Sequence, residues 1–230
     1  MTRILYDLAL ADSEVRPSPY CWIAKFALLH KGLPFETKAV PFADKAQYPD
    51  PAHGKAPILI DGDDMIRESL VIAQWLEKKH PDPALAKTEG EKASASFTAA
   101  WAASSLYPAL APMLIPRIAN LIDGEDRAYF VSTREERFGK TLEEVAATPG
   151  LAEKAETSLR VLDSPLSSHR YLGGGAPSLS DYIAFAPLMW QRCVTTRDLY
   201  ETPSSVASWR ERMLDLYDGY ARKAKSAEAA

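Results

Sequence analysis

The sequence predicts a protein of two unequal domains, a small α/β domain followed by an all-α domain. The chain has 230 residues, which is long for one small domain and short for three. Strand and helix patterns alternate up to about residue 80, whereas only helical patterns follow Glu89. We therefore expect an α/β domain over 1–80, a linker over 81–88, a helical domain over 89–222 and a flexible tail over 223–230.

The α/β domain opens with a strand, a helix and a second strand. Apolar residues over 4–10 predict the first strand. Ser18 directly before Pro19 is typical of a helix N-cap followed by the first helical position. Apolar residues then recur at helical spacing as far as Gly32, which ends the helix, and 35–42 alternates like a strand.

Two short strands and a helix complete this domain. Apolar runs at 58–60 and 65–67 flank an Asp-Gly-Asp turn, and Ser69 begins a helix. The order strand, helix, strand, strand, strand, helix is typical of a thioredoxin-like fold.

In the helical domain, Ser178 and Asp181 have the spacing of a capping box, with Asp in place of Glu. The residues over 182–190 are apolar nearly all round, so we expect this helix to be central and buried.

Three prolines recur every fourth residue at Pro108, Pro112 and Pro116. An interior proline costs a helix roughly 3 kcal/mol. We therefore expect a kink or break between Leu106 and Ile118.

Composition excludes several classes of protein. The net charge of −4 and the pI near 5.7 disfavour nucleic acid or an anionic membrane as main partner. Two distant cysteines do not make a disulfide scaffold and are typical of a reducing compartment, and we see neither a signal peptide nor a membrane span, so we expect a cytoplasmic protein. The spacing of His, Cys, Asp and Glu predicts no metal site.

Ser18 is the first candidate functional residue. A helix N-terminus with a hydroxyl donor stabilises an anion, including a thiolate. Ser18 is not predicted to be a nucleophile, because no His or Asp near it in sequence is placed as a base. The alternative is that Ser18 only caps the helix.

Lys55-Ala56-Pro57 and Glu68-Ser69 are the other candidates. A proline that opens a strand in this fold is usually cis, which lets Ala56 pair its backbone with an extended peptide, and Lys55 can meet a carboxylate. Ser69 at a helix N-terminus can bind a second carboxylate, and Glu68 can bind an ammonium group. A thiol, two carboxylates and an ammonium are the groups of glutathione. Taken singly, Lys55 is equally explained as a loop lysine and Ser69 as a helix cap.

These motifs resemble those of the glutathione transferases. Ser18-Pro19-Tyr20-Cys21 is similar to the Cys-Pro-Tyr-Cys of glutaredoxins with serine in the first position. The order of this segment, Lys55-Ala56-Pro57, Glu68-Ser69 and the capping box covers both domains. Within the family, the chain most resembles serine-type enzymes. Weaker matches to the bacterial lignin β-etherase branch and its fungal relatives are found in Tyr6-Asp7-Leu8, Tyr171-Leu172-Gly173-Gly174 and Leu216-Tyr217-Asp218-Gly219.

The resemblance implies that Ser18 donates a hydrogen bond to the sulfur of glutathione, the co-substrate, and that the protein is a homodimer. It further implies attack on apolar, aromatic electrophiles, in detoxification or in the breakdown of aromatic compounds, with β-aryl ether cleavage as one form. The pocket for the electrophile would be lined by Trp101, Tyr107, Met113 and Trp190, and each of these is equally explained as core.

Two other functions stay open. One is a non-catalytic protein that binds glutathione or a hydrophobic ligand on the same scaffold. The other is a thiol reductase, which the missing first cysteine disfavours.

We expect Cys21 and Cys193 to be buried, and His53 is a further candidate for contact with a carboxylate.

Overall fold

The computed structural model describes residues 3–228, and its first part is a four-stranded mixed sheet with two helices. In chain order the elements are β1 (Arg3–Leu8), α1 (Pro19–His30), β2 (Glu36–Val40), β3 (Ile58–Asp61), β4 (Asp64–Arg67) and α2 (Ser69–Lys79). The strands lie in the order β2-β1-β3-β4, with β1 parallel to β2 and β3 antiparallel to both of its neighbours. The predicted thioredoxin-like fold is confirmed.

Helix α1 is shared between the two parts of the molecule. Nine of its twelve residues are buried, and it packs against both α2 and the helical part. The ring of Phe26 stacks on that of Tyr182, with centroids 5.2 Å apart and planes at 5°. Gly32, at φ +62°, follows the C-cap Lys31 and ends the helix as the sequence predicts.

The second part is helical, as predicted. Its helices are α3 (Glu89–Trp101), α4 (Tyr107–Ala119), α5 (Gly124–Phe138), α6 (Leu142–Ala146), α7 (Leu151–Leu159), α8 (Asp163–Ser168), α9 (Leu179–Val194) and α10 (Ser204–Gly219). Thirteen of the sixteen residues of α9 are buried, and α9 packs against α1, α3 and α4, so it is the central helix. Among residues 3–228, no helix is long and apolar enough to cross a membrane.

The predicted capping box begins α9. The buried carboxylate of Asp181 accepts hydrogen bonds from the N–H groups of Ser178 (2.9 Å), Leu172 (2.8 Å) and Gly173 (3.0 Å), and from the indole of Trp209 (2.9 Å). One side chain therefore joins the start of α9, the preceding loop and α10.

The prediction of a break between Leu106 and Ile118 is wrong in its position. Helix α4 runs through Pro112 and Pro116, and the irregular turn is a π-helical segment over 102–106, before the prolines. Pro108 has no N–H for the carbonyl four residues earlier, and that carbonyl lies in the π-helical turn. Burial of the apolar face of α4 stabilises the helix against the remaining cost, because each buried leucine or isoleucine contributes about 1.5–3 kcal/mol.

The tail also differs from expectation. The backbone N–H groups of Ala227 and Glu228 donate to the carbonyls of Cys193 (2.9 Å) and Val194 (3.0 Å). Lys225 forms an ion pair with Asp12, and Glu228 forms one with Arg117 at 3.2 Å. The segment has few apolar residues, and it is held by backbone hydrogen bonds and ion pairs. The spacing of apolar residues in the sequence does not predict such contacts. Residues 229 and 230 lie outside the described residues.

An ion pair is buried between α1 and β1. Lys25 Nζ lies 2.6 Å from Asp7 Oδ2 and 4.2 Å from the centroid of the Trp22 ring, and the two charged side chains are only 3% and 0% exposed. Burial acts to lower the pKa of Lys25, but the Asp7 carboxylate raises it above its ordinary value. The Lys25 side chain is therefore charged in the folded protein.

Candidate functional site

Ser18 lies at the N-terminus of α1, in the predicted position. It is the N-cap residue, its Oγ accepts from the N–H of Cys21 at 3.3 Å, and Pro19 follows at the first helical position. The preceding loop is fixed because the Trp22 indole donates to the carbonyl of Arg16 at 2.9 Å. The Ser18 hydroxyl also lies within hydrogen-bonding reach of the Cys21 thiol. Because a hydroxyl combines one rotatable donor with two acceptor sites, it can turn its proton to a ligand while Oγ still accepts from the helix.

The peptide bond between Ala56 and Pro57 is cis, as the sequence predicts. The strand ladder begins one residue later, where Ile58 pairs with Tyr6 of β1 and Arg67 of β4. Ala56 therefore lies just outside the ladder and presents its backbone beside it. Lys55 is exposed.

Glu68 and Ser69 follow β4 directly. Glu68 has φ +66° and ψ 133°, and a residue other than glycine rarely adopts a positive φ, so this backbone is strained. This backbone conformation turns the chain from β4 into α2, whose first residue is the buried Ser69. His53 Nε2 lies 3.4 Å from Glu68 Oε1, so the structure places His53 beside this carboxylate.

The sheet topology brings these three segments to one edge. Ser18 follows the C-terminal end of β1, and β3, which is antiparallel to β1, begins after Pro57. Strand β4 is antiparallel to β3, so its C-terminal end, next to Glu68, lies at the same edge. One surface is therefore bordered by the N-terminus of α1, by the backbone of Ala56, and by the N-terminus of α2 with the carboxylate of Glu68.

Of the four residues predicted to line the pocket for the electrophile, Tyr107 lies next to α1, the helix that begins after Ser18. Its ring stacks on that of Tyr20, with centroids 5.3 Å apart and planes at 19°, and lies 6.4 Å from that of Trp190. Among the described residues, the buried Tyr107 hydroxyl and the buried Trp101 Nε1 have no hydrogen-bond partner. Met113 instead lines a separate cavity with Ala146, Leu151 and Leu199.

Sequence reasoning missed Tyr20 as a site residue. Its side chain is 49% exposed, in a turn whose neighbours Pro19 and Cys21 are buried. Its place between Ser18 and Cys21, in the first turn of the helix that begins after Ser18, was the available signal.

The two cysteines are free and fully buried, as predicted. Burial raises the pKa of Cys21 well above its ordinary value, and the charge of Asp7 raises it further. Burial also raises the pKa of Cys193 to about 11. Neither thiol is ionised near pH 7, which disfavours either as a nucleophile.

Comparisons with known proteins agree with this arrangement. Residues 13–84 match the family model described as "Glutathione S-transferase, N-terminal domain", and residues 93–217 match that of the C-terminal domain. A curated relative, "Glutathione S-transferase-like protein ustS" of Aspergillus flavus, is 31% identical over 139 residues, or 54% of this chain. The chain matches about half of that relative's length, 49%.

Solved structures show the same fold. Glutathione transferase GSTFuA3 of Phanerochaete chrysosporium has a TM-score of 0.74 at 23% identity, with 95% of this chain and 92% of that chain covered. Glutathione S-transferase CsGST63524 of Ceriporiopsis subvermispora, solved in complex with glutathione, has a TM-score of 0.73 at 24% identity, with 97% and 94% covered.

Proposed function

Since the chain belongs to the glutathione S-transferase family, we propose that it activates the thiol of glutathione for attack on an apolar, aromatic electrophile. The observation that carries this proposal is the meeting of Ser18, Ala56-Pro57 and Glu68-Ser69 at one sheet edge. These groups together offer partners for the sulfur, the peptide backbone and the γ-glutamyl end of an extended tripeptide.

Activation of the thiol is an electrostatic task. A free thiol with a pKa of about 8.5 is only about 3% ionised at pH 7. Lowering that pKa by about two units takes roughly 2.7 kcal/mol of preferential stabilisation of the thiolate. The Ser18 hydroxyl donates to the sulfur, and the N-terminus of α1 adds its partial positive charge.

The remaining groups orient the ligand. Ala56 offers strand-like pairing to the cysteinyl backbone, with Pro57 fixing its direction, and Lys55 binds the glycine carboxylate. Ser69 and the first N–H groups of α2 bind the γ-glutamyl carboxylate, while Glu68 binds the ammonium.

An aromatic electrophile is supported by the rings of Tyr20, Tyr107 and Trp190 that continue from the start of α1. We propose β-aryl ethers as one substrate class, on the motif resemblance given above. The thiolate would attack the carbon that bears the aryloxy group from behind. A C–S bond forms, the C–O bond breaks, and the electron pair leaves with the phenolate oxygen.

A synthetic β-aryl ether with a fluorescent phenol tests this assignment. We expect phenol release that depends on glutathione and falls in Ser18→Ala and Tyr107→Ala. Activity on a chloronitroarene without release from the ether would refute the etherase assignment and keep the transferase. Glutathione binding without turnover of any electrophile would instead favour the non-catalytic alternative.

Glu68→Ala is expected to weaken the binding of glutathione about tenfold or more, because a hydrogen bond to a charged group contributes about 1.5–3 kcal/mol. Calorimetry measures the dissociation constant. Glu89→Ala is the control, since Glu89 is an exposed carboxylate that forms an ion pair with Lys92 on α3. Unchanged affinity in Glu68→Ala would remove Glu68 from the site.

We also propose that the protein is a cytoplasmic homodimer. Large apolar side chains are exposed on three consecutive elements: Met65 on β4 (38%), Val71 on α2 (49%) and Phe97 on α3 (67%). Exposed apolar side chains are typical of an interface where they lie together on one surface. The two unpaired cysteines support a reducing compartment.

Phe97→Glu is expected to convert the dimer to a monomer at micromolar concentration, because it places a charge in the apolar contact. Light scattering measures the mass. Val161→Glu is the matched control, since Val161 is 48% exposed on the segment after α7 and should stay dimeric. A monomeric wild-type protein would contradict the dimer itself.

A further inference from the structure

Three cations lie beside the site without a carboxylate partner. They are Lys45, in the loop after β2, and Arg134 and Arg137, which lie three residues apart on α5 and so share a helix face. In the described part of the chain, no carboxylate oxygen lies within 4.0 Å of any of the three charged groups. We call them the basic cluster.

The basic cluster is held in place by its surroundings. The carboxylate of Asp126 on α5 accepts from the N–H groups of Phe42 (3.0 Å) and Ala43 (2.7 Å), which ties α5 to the loop of Lys45. Lys45 Nζ lies 4.9 Å from the ring centroid of Tyr129 on α5, and Arg134 Cζ lies 4.3 Å from that of Phe130. Lys45 Nζ also donates to the carbonyl of Phe42. The charge of Asp126 acts on Lys45 from a distance, so one nearby carboxylate faces three cations.

The electrostatic consequence is visible in two of the cations. Burial lowers the pKa of Lys45, and the charge of Arg134 lowers it further. Burial also lowers the pKa of Arg134. Tyr129 raises this pKa, and the positive charge of Arg137 lowers it. Half-buried cations that repel one another are stabilised by an anion placed between them.

The position of the basic cluster connects it to both halves of the site. The stem of Lys45 lies against Gly54, where an added Cβ would come within 3.1 Å of its Cδ, and Gly54 adjoins His53 and Lys55. On the other side, Tyr20 is within electrostatic reach of both Arg137 and Glu68, which shift its pKa in opposite directions. Tyr20 therefore lies near Arg137 of α5 as well as near Glu68.

We propose that the basic cluster binds an anionic group on the second substrate, so that the preferred electrophile is an aromatic acid whose ring lies against Tyr20 and Tyr107. This inference rests on the proposed function, since it assigns a substrate class to the same site. The glycine carboxylate of glutathione has the same chemistry, and the experiment separates the two sources.

The probes are naphthalene-2-carboxylate and the isosteric naphthalene-2-carboxamide, which differ in charge and undergo no reaction. Calorimetry measures their affinity for wild type and for Arg134→Gln/Arg137→Gln, with and without glutathione. The affinity of glutathione is measured on the same proteins. Lys140→Gln controls for the loss of a positive charge, because Lys140 is exposed just beyond α5.

We expect wild type to bind the carboxylate tenfold or more tightly than the amide, since a charged hydrogen bond contributes about that factor. The double variant should lose this preference, whereas Lys140→Gln and the affinity for glutathione should change little. Equal affinity for the two probes, or equal loss in Lys140→Gln, would overturn the proposal. Weaker glutathione binding in the double variant would assign the basic cluster to the glycine carboxylate and overturn it too. Loss of transferase activity in all proteins would count against the proposed function alone, because the probe affinities need no turnover.

Discussion

Ser18→Ala is expected to lower kcat with an aryl electrophile about ten- to hundredfold, while the affinity for glutathione changes less than about threefold. The hydroxyl donates to the sulfur, and a hydrogen bond to an anion contributes about 1.5–3 kcal/mol. That bond favours the thiolate and contributes little to the rest of the ligand, so it affects the reacting state more than binding.

The pKa of the thiol of bound glutathione is measured by following the ultraviolet absorbance of the thiolate against pH. In wild type the bound thiol should ionise about two pH units below the free value of about 8.5, and in Ser18→Ala the midpoint should return most of the way. Ser18→Thr keeps the hydroxyl and the helix cap, and so separates the loss of the proton donor from the loss of a cap, which costs about 1 kcal/mol.

Cys21→Ala is the second control, since that thiol is buried and protonated. It should keep nearly full activity. If Cys21→Ala abolished turnover and Ser18→Ala did not, the mechanism would be that of a thiol reductase.

Lys25→Met is expected to lower the free energy of unfolding by about 3–5 kcal/mol, the largest stability change we predict. Removing one partner leaves the fully buried Asp7 carboxylate without a compensating charge. The double variant Asp7→Leu/Lys25→Met removes both charges and should recover most of the loss, because a buried ion pair often exchanges for apolar residues at little cost.

Urea denaturation of the wild type, both single variants and the double variant forms a complete cycle. Additive losses in the double variant would show that the two side chains stabilise the protein independently. Lys92→Met is the control, because it interrupts an exposed pair with Glu89 at 2.7 Å and should cost about 1 kcal/mol or less.

Local signals in the sequence predicted the elements that border the site, because each depends on neighbours in the chain. Ser18 before Pro19, Pro57 at the start of β3 and Ser69 after Glu68 are such signals, and all three lie at element ends in the structure. The strand order and directions in the structure then show that these three positions lie at one edge of the sheet.

Features that depend on distant contacts were not predictable in this way. The stacking of Tyr20 on Tyr107 and the approach of Arg134 to Lys45 join residues more than 80 positions apart. The π-helical turn before Pro108 also escaped prediction, because helix propensity assigns a cost to each proline without saying where the chain absorbs it.

The shared position of α1 has a consequence for how the molecule unfolds. This helix contacts α2 and also contacts α9, where Phe26 stacks on Tyr182. A fragment cut after α2 would expose the surface that contacts α9 to water, so the sheet cannot keep its native stability once the helical part melts. We therefore expect the two parts to unfold as one cooperative unit, with the site at Ser18 lost in the same transition as the central helix.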